Sequence, residues 1–155
     1  MRLFPASKNT ILSEGEIPNG QILYKYARPG SFPNGQEEIP NGIFEDQELS
    51  CDWAKYQKTP ESSFHIEEGK NIIIEITVAD SIKNPTNPQR SKKGEVVSAW
   101  KQEIIHDPLT EEDDPKHGAN DSHSLIKGSK KKAVTDAIKQ NSEFRNLEEL
   151  KKFWK

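Results

Sequence analysis

Asn71-Ile72-Ile73-Ile74-Glu75-Ile76-Thr77-Val78 is the stretch that decides the fold. Ile, Thr and Val dominate it, and β-branched side chains fit a pleated sheet better than a helix. The apolar run at its start predicts burial on both faces, hence a central strand. Working outward, Ala79 to Lys83 has room for one helical turn. Upstream, Thr59-Pro60-Glu61 reads as a helix start, with Thr as N-cap, Pro in the first turn and Glu favoured by the dipole. Gly69 keeps that helix short. Leu49 to Trp53 is a brief strand-like segment.

Downstream, residues 84–94 (NPTNPQRSKKG) read as a mobile loop. Glu95 to Trp100 and Glu103 to His106 both read as strands, and His123 to Lys127 as a last short strand. Residues 107–121 form a long loop between them, of the kind often functional or disordered. Ser129 is placed to cap a helix over about 130–140, with Ala133, Val134, Ala137 and Ile138 on one face. A C-terminal helix at about 146–155 follows, with an N-x-x-E capping pattern at Asn146 and Glu149. The first 45 residues carry Pro-Asn-Gly at 18–20, 33–35 and 40–42, a strong turn signal. They are expected to form a turn-rich N-terminal arm, beside an α+β domain over 46–144 and the terminal helix at 145–155. The fold expected is thus α+β, with a central sheet of three to five strands.

Composition sets bounds. Of 155 residues, 33 are Leu, Ile, Val or Phe, and the net charge is only −3. That sits just above the range of disordered chains, so a thin folded core is expected. No apolar run is long enough for a membrane helix, and the start lacks a signal-peptide core. A cytoplasmic protein with no membrane partner is therefore expected. Cys51, the single cysteine, forms no internal disulfide, and its neighbour Asp52 would raise its thiol pKa. It reads as structural. Trp53, Tyr56 and Phe64 read as core rather than as a platform for bases.

Charge is uneven: residues 127–155 hold nine basic and four acidic groups, whereas 1–126 hold thirteen and twenty-one. The basic segment begins with Lys127, Ser129, Lys130, Lys131 and Lys132, a candidate phosphate-binding helix start. A solvated lysine run is the competing reading. His106, Asp107, Asn120 and His123, with His117 nearby, form the densest chemistry. Histidine moves protons near neutral pH, so acid–base cleavage of RNA is one reading of this group. A metal-dependent nuclease is a second, but the spacing fixes no ligand geometry, and neither a metal nor a cofactor is expected. Leu147, Leu150, Phe153 and Trp154 make an apolar stripe on the last helix, a candidate face for docking a partner.

The order Leu49-Ser50-x-Asp52, Thr59-Pro60-Glu61, Ile105-His106-Asp107-Pro108 and Asn120-x-x-His123-x-x-x-x-Gly128, before a lysine-bearing helix, resembles a group of small uncharacterised bacterial proteins. That group shares an LSxD, an hDP and an NxxH element before a basic helix. Matching elements span about residues 23–144; Cys51 and the insertion around 84–94 depart from the pattern. The resemblance implies a bacterial origin, brings no activity, and draws His106, Asp107, Asn120 and His123 together as one site.

The function expected first is a non-enzymatic accessory protein of a multi-component system. It would contact a protein, or RNA or DNA, through 127–155. The alternatives are a small His-dependent nuclease, most readily RNA-directed, and an acidic antitoxin or immunity protein.

Overall fold

The computed structural model describes residues 11–86 and 96–154. Six antiparallel strands form one sheet: β1 (Ile22–Ala27), β2 (Glu48–Trp53), β3 (Ile72–Thr77), β4 (Glu103–His106), β5 (His123–Lys127) and β6 (Ser142–Phe144). Their order across the sheet is β4-β5-β2-β1-β3-β6. The helices are α1 (Phe64–Glu67), α2 (Asp80–Lys83), α3 (Lys132–Gln140) and α4 (Leu147–Phe153). The α+β class stands, with six strands rather than three to five.

The isoleucine run behaves as its composition requires. Ile72, Ile73, Ile74 and Ile76 are all fully buried, because β3 is covered on both faces. Alternation along the strands sorts the rest. Leu23, Leu49, Trp53, Ile74, Ile104 and Ile126 face one side and join Val134 and Ile138 of α3 and Leu150 of α4 in the main core. Tyr24, Tyr26 and Ile73 are buried on the other side, in a second, smaller cluster with the partly buried Ile22, Ala54 and Ile66 packed against it. The core is thin in sequence terms yet contiguous, and it draws on residues from 17 to 150.

Several expectations change. The turn-rich segment is no separate arm along its described part: β1 lies between β2 and β3, and Ile17 donates its N–H to the Ile104 carbonyl at 2.8 Å along the β4 edge. Of the three Pro-Asn-Gly turns, Gly20 and Gly35 take positive φ as expected, but Asn41–Phe44 winds into a 3-10 turn. The segment before Trp100 is not a strand: Ser98–Trp100 is a 3-10 turn, and Val96 makes only an isolated bridge to Thr86. The 84–94 loop lies mostly outside the described residues.

The helix expected at Thr59 divides. Pro60–Ser62 is a 3-10 turn, and Ser63 then caps α1 by accepting the His65 N–H. Gly69 ends it at φ +88°, where a Cβ would also meet the Arg28 guanidinium at 2.8 Å. Helix α3 starts at Lys132 with Lys131 as N-cap and no side-chain cap, so Ser129 does not play that part. Asn146 precedes α4, but its side chain turns to the sheet instead. Its oxygen accepts the Ile73 N–H at 2.9 Å and its nitrogen donates to the Asn71 carbonyl at 2.8 Å. That pins α4 to β3.

Among the described residues no helix is long and apolar enough to cross a membrane.

Candidate functional site: a polar cleft on the open sheet face

The face opposite the main core is open between α1 and the 107–121 loop. Alternation on β2 turns Ser50 and Asp52 toward it, while Leu49, Cys51 and Trp53 enter the core. Register places His123 of β5 directly across from Asp52. Tyr26 of β1 reaches the same place. The result is a cleft of about 370 Å³. Ser50, Asp52, Tyr26 and His123 belong to its floor; Phe64, His65 and Glu68 stand on one wall, Asp114, His117 and Asn120 on the other. Lys25 and Lys70 also line it.

Two polar chains organise this cleft. In the first, Asp52 is 3 % exposed and keeps its carboxylate satisfied: Tyr26 donates its hydroxyl at 2.9 Å and Asn120 its amide at 3.1 Å. Burial, then the Asp52 charge, hold the Tyr26 hydroxyl far above its ordinary pKa, so it remains a donor. The Asn120 oxygen in turn accepts from the Ser122 N–H and hydroxyl at 3.1 and 2.6 Å, which shapes the turn leading into His123.

The second chain runs through His123. Its Nδ1 sits 3.0 Å from the Asp107 carbonyl and 3.1 Å from the Asp107 carboxylate. Both are acceptors, so Nδ1 carries the proton and the Nε2 lone pair points the other way. There it meets the Ser50 hydroxyl at 3.3 Å. The geometry is a hydroxyl, an imidazole base and an orienting carboxylate in line.

The walls are fastened to each other. His117 places Nδ1 3.0 Å from Asp114 and Nε2 3.0 Å from Glu68, so both nitrogens favour a proton. Its pKa is raised, chiefly by Glu68 and against some desolvation. Lys116 and His117 hold the Glu68 carboxyl down to about 2. The His117 ring also stacks on Phe64 with centroids 3.7 Å apart. His65 stacks on Tyr26 at 4.5 Å, and its buried Nδ1 has no hydrogen-bond partner; burial lowers its pKa.

The expected site residues fall out as follows. Asn120 and His123 line the cleft, Asp107 bonds His123 from behind, and His117 forms part of the wall. His106 does not join them. It lies one strand over on the core-facing parity, 1 % exposed, stacked on Tyr56 at 4.9 Å. Its Nδ1 accepts the Glu14 N–H and its Nε2 faces the Asp121 carbonyl at 2.7 Å, which occupies both nitrogens. Phe64 lines the cleft rather than the core. Cys51 is buried, and burial pushes its thiol up to about 12, as expected of a structural residue.

The lysine-rich helix start is largely spoken for. The Lys130 ammonium folds back onto the carbonyls of Ile126, Gly128 and Gln47 at 2.8, 3.0 and 3.3 Å, and burial draws its pKa down to about 8. Lys132 pairs with Asp136 at 3.0 Å, and Lys127 lies across the ladder from Glu48 and Glu103. Lys131 is exposed at the helix N-cap, and Ser129 offers its carbonyl to the Gln102 side chain. Of the proposed docking stripe, Leu150 is fully buried and Leu147 and Trp154 pack against the core; Phe153 alone is 52 % exposed.

Ser50 and Asp52 are marked as site residues by no pattern but the LSxD element. Phe64 reads as core in the sequence, and no local pattern marks Tyr26, His65 and Glu68, since they reach the cleft from elements distant in sequence. Among the described residues, no group of three or more His, Cys, Asp or Glu side chains is placed to hold a metal ion.

No family model matches the chain, and no curated protein and no solved structure matches it either.

Proposed function

We propose that the protein is a small hydrolase that works in this cleft, with His123 as the group that moves the proton. The observation that carries the reading is the line Ser50–His123–Asp107, with contacts of 3.3 and 3.1 Å. The Nε2 lone pair takes a proton from a hydroxyl or a water, and later returns it to the leaving group. Asp107 holds the ring in the required tautomer and stabilises the imidazolium that forms. Asp52 positions rather than reacts, because its oxygens are engaged by Tyr26 and Asn120. Ser50, Asp52, Asn120 and His123 all line this one cleft, and Asp107 stands behind the His123 ring.

A second reading keeps the same base but makes RNA the substrate. Lys25 and Lys70 line the cleft, and two cations beside a base suit a phosphodiester. One experiment addresses both. Wild type and His123→Ala are assayed on p-nitrophenyl esters of short acids and on a fluorescein-labelled RNA oligonucleotide. Turnover of either substrate that is lost in His123→Ala supports the hydrolase, and the substrate chooses between the readings. Absence of turnover on both would return the protein to the accessory, partner-binding role.

A further inference from the structure

We propose that Ser50 is the covalent nucleophile of the cleft and that carboxylic esters are its substrate class; this rests on the hydrolase reading above. A hydroxyl becomes a useful nucleophile when an oriented base can take its proton. Ser50 alone among the serines in the described residues has its hydroxyl against an imidazole nitrogen. Ser124 is fully buried and donates to the Ser122 carbonyl, Ser122 is engaged by Asn120, and Ser63 caps α1. Ser50 is exposed to the cleft, and its backbone is held in the β2–β5 ladder opposite Leu125. The hydroxyl is therefore presented from a rigid element, as a reacting group requires. A contact of 3.3 Å is looser than a closed catalytic hydrogen bond, as is common before substrate arrives.

The neighbouring side chain sharpens the argument. A thiol is intrinsically the better nucleophile, and Cys51 is next in sequence. Alternation sends Cys51 into the core beside Leu49 and Trp53, away from any base. The strand offers the hydroxyl to His123 and hides the thiol.

The step balances without any other reagent. The Ser50 oxygen bonds to the ester carbonyl carbon while His123 Nε2 takes the hydroxyl proton. The tetrahedral adduct collapses, the carbon–oxygen bond to the alcohol breaks, and the proton passes to that alcohol. Water then releases the acid, with His123 taking and returning its proton. Lys25 and Lys70 are the lysines that line the cleft and so the cations available to the developing oxyanion.

The test is active-site labelling of the full chain with a fluorophosphonate. The serine oxygen bonds to phosphorus, fluoride leaves, and His123 accepts the proton. Intact mass and peptide mapping should show one adduct, on Ser50, formed at least about 100-fold more slowly in His123→Ala. Ser50→Ala should retain its unfolding temperature and take no label. As a second variant, Ser50→Cys should be alkylated by iodoacetamide faster than buried Cys51, in a His123-dependent way. An adduct at any other residue, no adduct in folded wild type, or labelling that ignores His123 would overturn the proposal. Ester or RNA turnover that needs His123 but survives Ser50→Ala would overturn it while leaving the hydrolase reading intact.

Discussion

His106 and His123 stand on adjacent strands, both close to Asp107, yet they lead opposite lives. His106 ends β4 on the core-facing parity, and its two nitrogens are used by backbone groups of Glu14 and Asp121. Trp53 and Tyr56 wall its ring. His123 begins β5 on the other parity, with one nitrogen fixed by Asp107 and the other facing a hydroxyl in an open cleft. A satisfied histidine stabilises; a half-satisfied one is available for chemistry. The difference is a matter of which side of the sheet each Cβ points to, and residue type says nothing about it.

The comparison breaks most visibly in activity. Once a substrate is in hand, His123→Ala should lower its turnover by about 10²–10⁴-fold, the usual worth of a positioned proton-transfer group. Its stability should fall less than in His106→Ala, since the ring faces the cleft rather than the main core and what is lost is its bonding to Asp107. His106→Ala should do the reverse. It removes a ring that is 1 % exposed and takes the partner from the part-buried Glu14 amide and Asp121 carbonyl. A loss of about 2–4 kcal/mol is expected from cavity and unpaired groups together, read by urea unfolding. If the two variants show the same phenotype, the division of labour drawn here is wrong.

A smaller effect tests how the core face is held. Asn146→Ala removes two hydrogen bonds that tie the start of α4 to β3. About 1–2 kcal/mol is expected, with the unfolding midpoint as readout. A loss of only a few tenths would mean that the packing of Leu147, Leu150 and Trp154 secures α4 without those bonds.

How far the sequence foretold all this depends on the range of the forces involved. The β3 isoleucines, the one-turn α2 and the strand from His123 to Lys127 were legible because local composition and period decide them. Strand β6 was not, for three residues carry no period, and it exists because Ile74 to Ile76 offers a ladder to Ser142–Phe144. Val96 to Trp100 looked like a strand from its valines but finds no partner strand among the described residues beyond one bridge. The site divides the same way. Asp107, Asn120 and His123 lie within seventeen residues and could be grouped by spacing. Separating His106 from them required knowing the parity of β4 against β5, which pairing alone reveals. Lys130 looked like a free cation because nothing local shows that the chain turns three carbonyls toward it.

The third histidine of the group sharpens the comparison by pH. His117 is held between Glu68 and Asp114, and it joins the 107–121 loop to α1 across the cleft. Its raised pKa means that its share of the clamp is fully present below its ordinary value of 6.5 and is lost as pH rises through the folded value. Glu68 has the opposite sign. Its carboxyl is lowered from 4.5 to about 2, so its share is present above 4.5 and is lost as pH falls toward 2. Asp114 is lowered too, chiefly by its hydrogen bond from His117, and acts in the same direction as Glu68. The clamp is therefore strongest between about 4.5 and 6.5, and weakens once the pH passes the raised His117 value and the ring loses its second proton. Lys116, paired with Glu68 at 2.9 Å, keeps part of the contact after that proton is gone. Amide exchange of residues 114–120 followed from pH 5 to 9, corrected for intrinsic rates, should show protection falling as His117 titrates by NMR. His117→Gln should flatten that fall, while Glu68→Gln should lower the His117 pKa toward its ordinary value. Protection that stays constant across the His117 titration would mean that the Phe64 stack and the Leu109–Asn120 bridge hold the wall without the charges.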